Sequence, residues 1–273
     1  MTCYNCPVGS FSLGVLVLDE PGVPLAPLAS SLRELAEWTE EAGATSLFLE
    51  LPARVNDDPS RATLPMRSGL DAFVALGALG GEEAELGLGC SAPASGGVPP
   101  SLLAKYLSGL DLCCGGRAQM VLRSGEPDGP RELLESYEVV SRLLTEASVS
   151  FSGATIELSS AWNEPRGPRR VPLGLLLRDR AELDVLGHVG HELDMVLLEG
   201  GLEPEDARIA LARRGKPMPE LLGVVRELHP ELAAVAAKRW VRAGCDGVIC
   251  ALPAMLPRDL VDELLALVLA AGS

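Results

Sequence analysis

Residues 102–123, LLAKYLSGLDLCCGGRAQMVLR, carry the clearest signal of the fold class. The first part of this stretch has the apolar spacing of an amphipathic helix, which we predict over Pro100–Leu112. Its last part, Gln119–Leu122, is a short apolar run typical of a buried strand. The two are separated by a tight Cys-Cys-Gly-Gly-Arg connection. A helix that leads into a buried strand through a short connection indicates an α/β protein.

The same alternation of short apolar runs and helical patterns extends in both directions along the chain. The other predicted strands are Leu13–Leu18, Ser46–Leu51, Leu86–Cys90, Leu173–Leu177, Met195–Leu198, Leu221–Val225 and Gly247–Cys250. The other predicted helices are Ser30–Glu41, Asp71–Leu79, Pro130–Leu144, Arg180–His188, Pro204–Arg214, Pro230–Ala243 and Pro257–Ala271. Strands that alternate with helices pair in parallel, because a parallel connection needs a crossover.

The count of eight strand–helix units favours a closed (β/α)8 TIM barrel, and the alternative is an open doubly wound sheet. The alternation breaks once, at a hairpin predicted over residues 149–158, which is followed by the polar loop Ser159–Arg170. No low-complexity linker divides the chain. We therefore predict one domain over residues 1–273, with residues 1–11 as a flexible tail.

Composition excludes several classes of protein. The 273 residues are 47% hydrophobic and 22% charged, which is typical of globular domains. The formal net charge of −15 argues against a nucleic-acid or anionic-membrane surface, since both need clustered Lys and Arg. Seven cysteines, an odd number in a long chain, argue against a disulfide framework. No apolar run has the length of a signal peptide core or a membrane span, so we expect a cytoplasmic location.

Four colinear segments resemble the bacterial luciferase-like monooxygenase family. They are LRELAEWTEEAGATSLFLE, DAFVALGALGGEEAELGLG, LLAKYLSGLDLCCGGRAQMVLRSG and YEVVSRLLTEASVSFSGATIEL, within residues 32–158. The Leu-Asp…Gly-Gly-Arg segment is the most specific of them. The resemblance implies a luciferase-type barrel, often dimeric. It also implies that FMN or the deazaflavin coenzyme F420 binds at the C-terminal mouth. A large insertion typical of the later half of the family's chains is absent, so this barrel is expected to be compact.

Two departures from the family pattern concern the cofactor site. Many members carry a His directly after the second strand, where this chain reads LELPARV, with Glu50 and no His. Many carry a glycine-rich turn after the fifth barrel strand, where backbone N–H groups cradle a phosphate. This chain reads LLLRDRAEL there and has no glycine.

Side chains at the C-terminal ends of barrel strands form the active mouth of such folds. That rule selects Glu50, Cys90, Arg123, Arg178, Glu199, Arg226 and Cys250. Arg123, directly after the fourth predicted strand, matches the position at which the family's flavin enzymes hold the FMN phosphate. A guanidinium suits this task because its planar fork donates two hydrogen bonds at once.

We assign the candidate cofactor contacts to Arg123, Ser124, Cys90 and Arg178, and the candidate catalytic proton-transfer groups to Glu50 and His229. Each has a structural alternative. The arginines would serve as solvated ion-pair partners, Glu50 would cap the next loop, and His229 would simply precede a helix.

Other conspicuous residues are expected to be structural. Arg117 of the Gly-Gly-Arg segment falls at the N-terminal end of its strand, the end that supports stability. His188 and His191 lie near a helix C-terminus, where an imidazolium is favourable, and no third ligand is near them in sequence. Cys3 and Cys6 have C-x-x-C spacing, which is half of a zinc site, so no metal site is predicted.

Two functions remain open on the sequence. The first is a flavin- or deazaflavin-dependent oxidoreductase acting on a small organic substrate, with the redox chemistry carried by the cofactor. The second is a non-catalytic barrel that serves as a binding or partner subunit, since fold does not imply function. In either case we expect a homodimer or a heterodimer with a related barrel.

Overall fold

The computed structural model describes residues 11–18, 25–51, 71–81, 85–94, 98–124 and 129–272, with the backbone alone for residues 25–29. The strands are β1 Ser12–Leu18, β2 Ser46–Glu50, β3 Gly87–Pro93, β4 Ala118–Arg123, β5 Val149–Ser152, β6 Glu157–Ala161, β7 Leu173–Leu177, β8 Met195–Leu198, β9 Glu220–Val225 and β10 Gly247–Pro253. The helices are α1 Leu25–Glu41, α2 Ala72–Gly80, α3 Pro100–Cys113, α4 Gly129–Thr145, α5 Leu183–His188, α6 Pro204–Ala212, α7 Pro230–Ala243 and α8 Arg258–Gly272.

Eight parallel strands close into a barrel in the order β1-β10-β9-β8-β7-β4-β3-β2. Closure requires that the first and last strands pair, and Ser12–Leu18 does pair with Gly247–Pro253 over its whole length. The predicted (β/α)8 barrel is therefore confirmed, and the open sheet is excluded. The antiparallel hairpin β5–β6 stands apart, so β4 pairs directly with β7.

Most helix ends follow the signals in the sequence. Asp71 caps α2, its side chain accepting a hydrogen bond from the backbone N–H of Val74 at 3.0 Å. The predicted start of the first helix at Ser30 is wrong, since α1 begins at Leu25. The fifth barrel helix begins with a 3-10 turn over Arg180–Glu182 before α5 proper. None of the described helices is long and apolar enough to cross a membrane.

The barrel interior is filled by one layered apolar cluster. Its buried members are Leu16, Phe48, Val121, Leu176, Met195, Leu197, Leu222, Val224, Ile249 and Ala251. Phe48 is 1% exposed, and its ring packs directly on the backbone of Gly89. A Cβ at position 89 would lie 2.2 Å from the ring, so only glycine leaves room for it. Because strand side chains alternate, residues two positions beyond this cluster face the same interior, at the C-terminal end.

The Gly-Gly-Arg segment joins helix α3 to strand β4. Gly115 and Gly116 have φ of +64° and +86°, a conformation that favours glycine. Arg117 then donates hydrogen bonds, each 2.9 Å long, to the carbonyls of Cys114, Leu86 and Gly80. Three segment ends are thereby held together at the N-terminal end of the barrel, so the structural role predicted for Arg117 is confirmed.

Helix α4 anchors the hairpin through Glu135. Its carboxylate accepts hydrogen bonds from the backbone N–H groups of Ala154, Thr155 and Ile156 at 2.8–3.1 Å, and from the Thr155 hydroxyl at 2.7 Å. Burial alone would raise the pKa of Glu135, but these donors hold it below its ordinary value. The charged carboxylate is thus part of the folded hairpin.

We expect Glu135→Gln to loosen the hairpin. A hydrogen bond to a charged group is worth about 1.5–3 kcal/mol, so the amides of residues 154–156 will exchange hydrogen roughly ten- to a hundredfold faster. A group with a lowered folded-state pKa stabilises the fold above its unfolded pKa, and the gain is lost as pH falls through the folded pKa. The difference between wild type and variant will therefore shrink on acidification.

Glu157→Gln, an exposed change on the same hairpin, is the matched control. Hydrogen exchange followed by mass spectrometry at neutral and acidic pH measures both effects. Equal protection of residues 154–156 in the two variants would contradict the anchoring role.

Candidate active site

Five charged side chains from five different strands converge at the C-terminal mouth of the barrel. They are Glu50 and Arg123, which end β2 and β4, and Arg178, Glu199 and Arg226, which directly follow β7, β8 and β9. Each lies two residues beyond an apolar member of the interior cluster, so each continues the inward-facing side of its strand. The five are called the mouth network below.

Arg123 and Glu50 form the inner part of the mouth network. The Arg123 side chain is 6% exposed, and its Nε lies 3.4 Å from Oε1 of Glu50. Its Nη2 donates a 2.6 Å hydrogen bond to the carbonyl of Leu51. Burial lowers the pKa of the guanidinium, and the Glu50 carboxylate opposes that effect. Arg123, predicted to follow the fourth strand, is instead the last residue of β4, and it supports the end of β2.

Arg178, Glu199 and Arg226 form the outer part of the mouth network. Arg178 Nε donates to Glu199 Oε2 at 3.1 Å, and Arg226 Nε donates to Glu199 Oε1. Arg178 Nη2 also lies 3.6 Å from Glu50 Oε1, which joins the outer part to the inner one. Burial would raise the pKa of Glu199, but the two guanidinium groups hold it below its ordinary value. Glu199 is thus an anion held between two cations.

The outer arginines keep hydrogen-bonding capacity. Their side chains are 38% and 40% exposed, against 15% for Glu199. Arg226 reaches Glu199 through Nε, the inner nitrogen of its guanidinium group. Three arginines against two glutamates leave the mouth network with an excess of one positive charge. This side of the mouth suits an anion.

Side chains of the chain itself occupy four backbone N–H groups of the turn after β7. Asp179 caps the 3-10 turn, accepting from the N–H groups of Ala181 and Glu182 at 2.8 and 3.2 Å. Glu182 in return accepts from the N–H groups of Arg178 and Asp179. The donors that a glycine turn would offer to a phosphate are hydrogen-bonded within the chain.

Ser91 is a mouth residue that the sequence reasoning missed. It pairs in register with Glu50, it is fully buried, and its hydroxyl has no hydrogen-bond partner among the described residues. Because Gly89 faces Phe48 in the interior, Ser91, two residues on, faces the same side. The alternation of β3 would have identified it, had the strand been extended beyond Cys90.

The expected positions of Cys90 and Cys250 at the mouth are wrong. Strand β3 runs to Pro93 and β10 to Pro253, so each cysteine lies mid-strand. Both side chains pack in the apolar layer between the barrel and its helices. Burial raises the pKa of the Cys90 thiol and raises that of Cys250 to about 12. Both thiols are neutral and face away from the mouth network.

The remaining predicted site residues lie at the C-terminal face without joining the mouth network. His229 is the exposed N-cap residue of α7 and makes no capping hydrogen bond through its side chain. Ser124 is half-buried and directly follows Arg123. At the opposite end of the barrel, His191 contacts Oε1 of Glu138 at 2.9 Å. The roles of His229 and Ser124 stay predictions.

Several sequence predictions fall outside the described residues. These are the tail up to residue 10 with its Cys3–Cys6 pair, and the glycine-rich part of the segment after β3, residues 95–97. The connections over residues 19–24, 52–70 and 125–128, which follow β1, β2 and β4, are likewise outside. The mouth is therefore described from its strand ends and from the loops after β7–β10.

Several solved structures share this arrangement of strands and helices. An F420-dependent secondary alcohol dehydrogenase, in complex with an F420–acetone adduct, matches with a TM-score of 0.71 at 13% identity over 97% of this chain and 99% of that one. The fold is that of the luciferase-like monooxygenases. The luciferase-like fold predicted from the four segments is thereby confirmed.

Two further structures with the luciferase-like fold match as closely. The coenzyme F420-dependent tetrahydromethanopterin reductase from Methanopyrus kandleri has a TM-score of 0.70 at 13% identity, over 94% of this chain and 97% of that one. The EDTA monooxygenase from Chelativorans sp. BNC1 has a TM-score of 0.69 at 13% identity, over 96% and 94%. No protein-family model matches the chain, and neither does any curated protein. Identity this low establishes the luciferase-like fold and no more.

Proposed function

We propose that this chain is a flavin- or deazaflavin-dependent oxidoreductase that binds FMN or coenzyme F420 at the barrel mouth and acts on a small organic substrate. The observation that carries the proposal is the pair of two-fifths-exposed guanidinium groups, Arg178 and Arg226, held on either side of Glu199. Both cofactors carry a phosphate, and guanidinium groups are the preferred side-chain partners of phosphate.

The two parts of the mouth network would have different tasks. Arg178 and Arg226 would hold the anionic part of the cofactor, in place of the backbone donors that Asp179 and Glu182 occupy. Arg123, buried beneath them, would orient Glu50 and hold the end of β2. The buried Ser91 hydroxyl, which has no hydrogen-bond partner in the described part of the chain, would meet the polar edge of a ring placed over the barrel.

The chemistry itself would come from the cofactor: reduced FMN supports oxygen activation and monooxygenation, and the deazaflavin supports hydride transfer. The protein would bind and orient the reactants and exclude water from them. Glu50 and His229 are the groups assigned to proton transfer, Glu50 from the floor of the mouth and His229 from its rim. Ser124, directly after Arg123, is a further proposed contact to the cofactor.

Cofactor titration tests the proposal. The full chain should bind FMN or F420, and quenching of the cofactor's fluorescence measures this binding. Arg178→Ala and Arg226→Ala should each weaken binding roughly ten- to a hundredfold. Arg180→Ala is the matched control, because that arginine is 81% exposed and pairs with Asp206 outside the mouth network. Thermal melts verify that each variant is folded. Absence of binding, or equal affinity in all three variants, would rule the proposal out.

A non-catalytic partner subunit is the second candidate function, and one observation favours it. The N–H groups at the start of the fifth barrel helix are hydrogen-bonded by Asp179 and Glu182, as in a chain without a phosphate to hold there. Exposed apolar side chains on α2 and α3, including Val74 and Leu112, offer a face for a second barrel, in a homodimer or a heterodimer. A chain that binds neither cofactor but co-purifies with a related barrel would support this function.

A further inference from the structure

The mouth of the barrel has a polar side and an apolar side. Six neighbouring strands, β2 to β4 and β7 to β9, each bring an inward-facing polar residue to this end, namely Ser91 and the members of the mouth network. On the two remaining strands, β10 and β1, the corresponding residues are Pro253 and Leu18. These strands are paired neighbours, so the two apolar residues lie side by side. Leu18 and Pro253 are called the apolar sector below.

Both residues of the apolar sector face the mouth. Leu18 packs against the interior cluster. Pro253 is its partner in register and lies two positions beyond Ala251, a member of that cluster. Because side chains alternate along a strand, Pro253 continues the inward-facing side of β10. Both residues are half-buried, so part of each apolar surface stays accessible.

The apolar side continues at the rim of the mouth. Leu228, in the connection after β9, is 40% exposed, and Met255, in the connection after β10, is 46% exposed. Both connections leave the C-terminal end of the barrel next to the apolar sector. A methionine side chain adapts to apolar ligands of different shapes. This side of the mouth therefore suits a hydrocarbon group.

The charge of the mouth limits what a second reactant can carry. The mouth network has an excess of one positive charge, and a phosphate group carries at least one negative charge. Once the phosphate of the proposed cofactor is bound, no positive charge is left to balance a second anion, and the chain as a whole carries −15. A charged group of either sign on the apolar sector would lose hydration without gaining a partner there.

We propose that the organic substrate is an uncharged molecule with a compact hydrocarbon group, and that the apolar sector selects it. The hydrocarbon group would rest on Leu18 and Pro253, with Met255 at its outer side. The reacting polar group would face Glu50, at the end of the neighbouring strand β2. This inference rests on the cofactor binding proposed above and adds which substrates the loaded site accepts.

Three probes of nearly the same shape and different charge test the inference: cyclohexylmethanol, cyclohexanecarboxylate and cyclohexylmethylammonium. Each is titrated by calorimetry into the full chain saturated with whichever of FMN and F420 it binds. We expect the alcohol to bind at least about tenfold more tightly than either ion. Without cofactor the carboxylate should gain affinity relative to the alcohol, because the excess positive charge of the mouth network is then unbalanced.

Variants of the apolar side locate the binding. Leu18→Asn and Met255→Gln put polar groups of similar size in place of apolar ones, and each should weaken binding of the alcohol roughly three- to tenfold. The affinity for the cofactor should not change, since neither residue lies among the arginines. Leu232→Asn is the matched control, a 57% exposed leucine on α7, and should leave all affinities unchanged. Met255 is exposed, so its variant should fold even if Leu18→Asn does not.

The outcomes separate this inference from the function proposed above. If the chain binds a cofactor but then binds the alcohol no more tightly than the ions, the inference is overturned and the cofactor site stands. The same holds if the alcohol binds equally to the loaded wild type and the loaded Met255→Gln variant. Absence of cofactor binding would overturn both.

Discussion

Replacing Arg123 by methionine will destabilise the protein by about 3 kcal/mol. Loss of one partner from a buried ion pair typically destabilises by roughly 3–5 kcal/mol, because the other charge stays buried. The value lies at the low end because Glu50 keeps Arg178, at 3.6 Å. The change also removes the 2.6 Å hydrogen bond to the carbonyl of Leu51. Urea or thermal unfolding measures the effect, with an expected fall in Tm of roughly 6–12 °C.

A second change should recover much of that loss. In Arg123→Met/Glu50→Gln the remaining buried charge is gone, so the double variant should be more stable than Arg123→Met alone. Arg180→Met is the surface control and should change stability by less than about 1 kcal/mol, as exposed ion pairs do. A loss of similar size in the Arg123 and Arg180 variants would contradict the buried position of Arg123.

Phe48→Ala will also destabilise strongly, by roughly 3–5 kcal/mol, the usual range for removing a buried aromatic side chain. Phe48 is 1% exposed in the middle of the barrel interior. The ring packs directly on Gly89, which has no side chain that could refill the volume left by the aromatic ring. Unfolding in urea at neutral pH measures the free energy of unfolding.

The matched control is Leu232→Ala on helix α7, where the leucine is 57% exposed. A surface substitution of this kind should stay within about 0.5 kcal/mol. If Phe48→Ala lowered the free energy of unfolding by no more than Leu232→Ala does, the barrel interior would not be close-packed around this ring.

Apolar runs and helix caps predicted the strands and helices well, because these elements depend mainly on residues close together in the chain. The apolar runs identified every barrel strand, and caps such as Asp71 marked helix starts. Errors lie at element ends: α1 begins five residues before the predicted Ser30, and β3 extends three residues beyond Cys90. The conformational preference of single residues says little about where an element ends. For a strand, pairing with its neighbour decides how far it continues.

The length of β3 also explains the error on Cys90. A strand that ended at Cys90 would have left its side chain at the mouth. In the barrel, Ser91 and Pro93 pair with Glu50 and Arg123 across β2 and β4. The inward side of β3 is therefore Gly89 and Ser91, and Cys90 faces the helices. A shift of one residue exchanges the two faces of a strand, so a small error in an end becomes a large error in a site.

The eight strand–helix units, the luciferase-like barrel and the set of charged residues at its strand ends could all be predicted from the order of residues along the chain. Which of those charges meet depends on the closed barrel. Arg123 and Arg178 are far from Glu50 in sequence. They lie beside it because closure of the barrel brings the ends of β2, β4 and β7 together. Periodicity along one strand reports which side is buried, but it carries no information on the distance between strands. The ion pairs of the mouth depend on that distance.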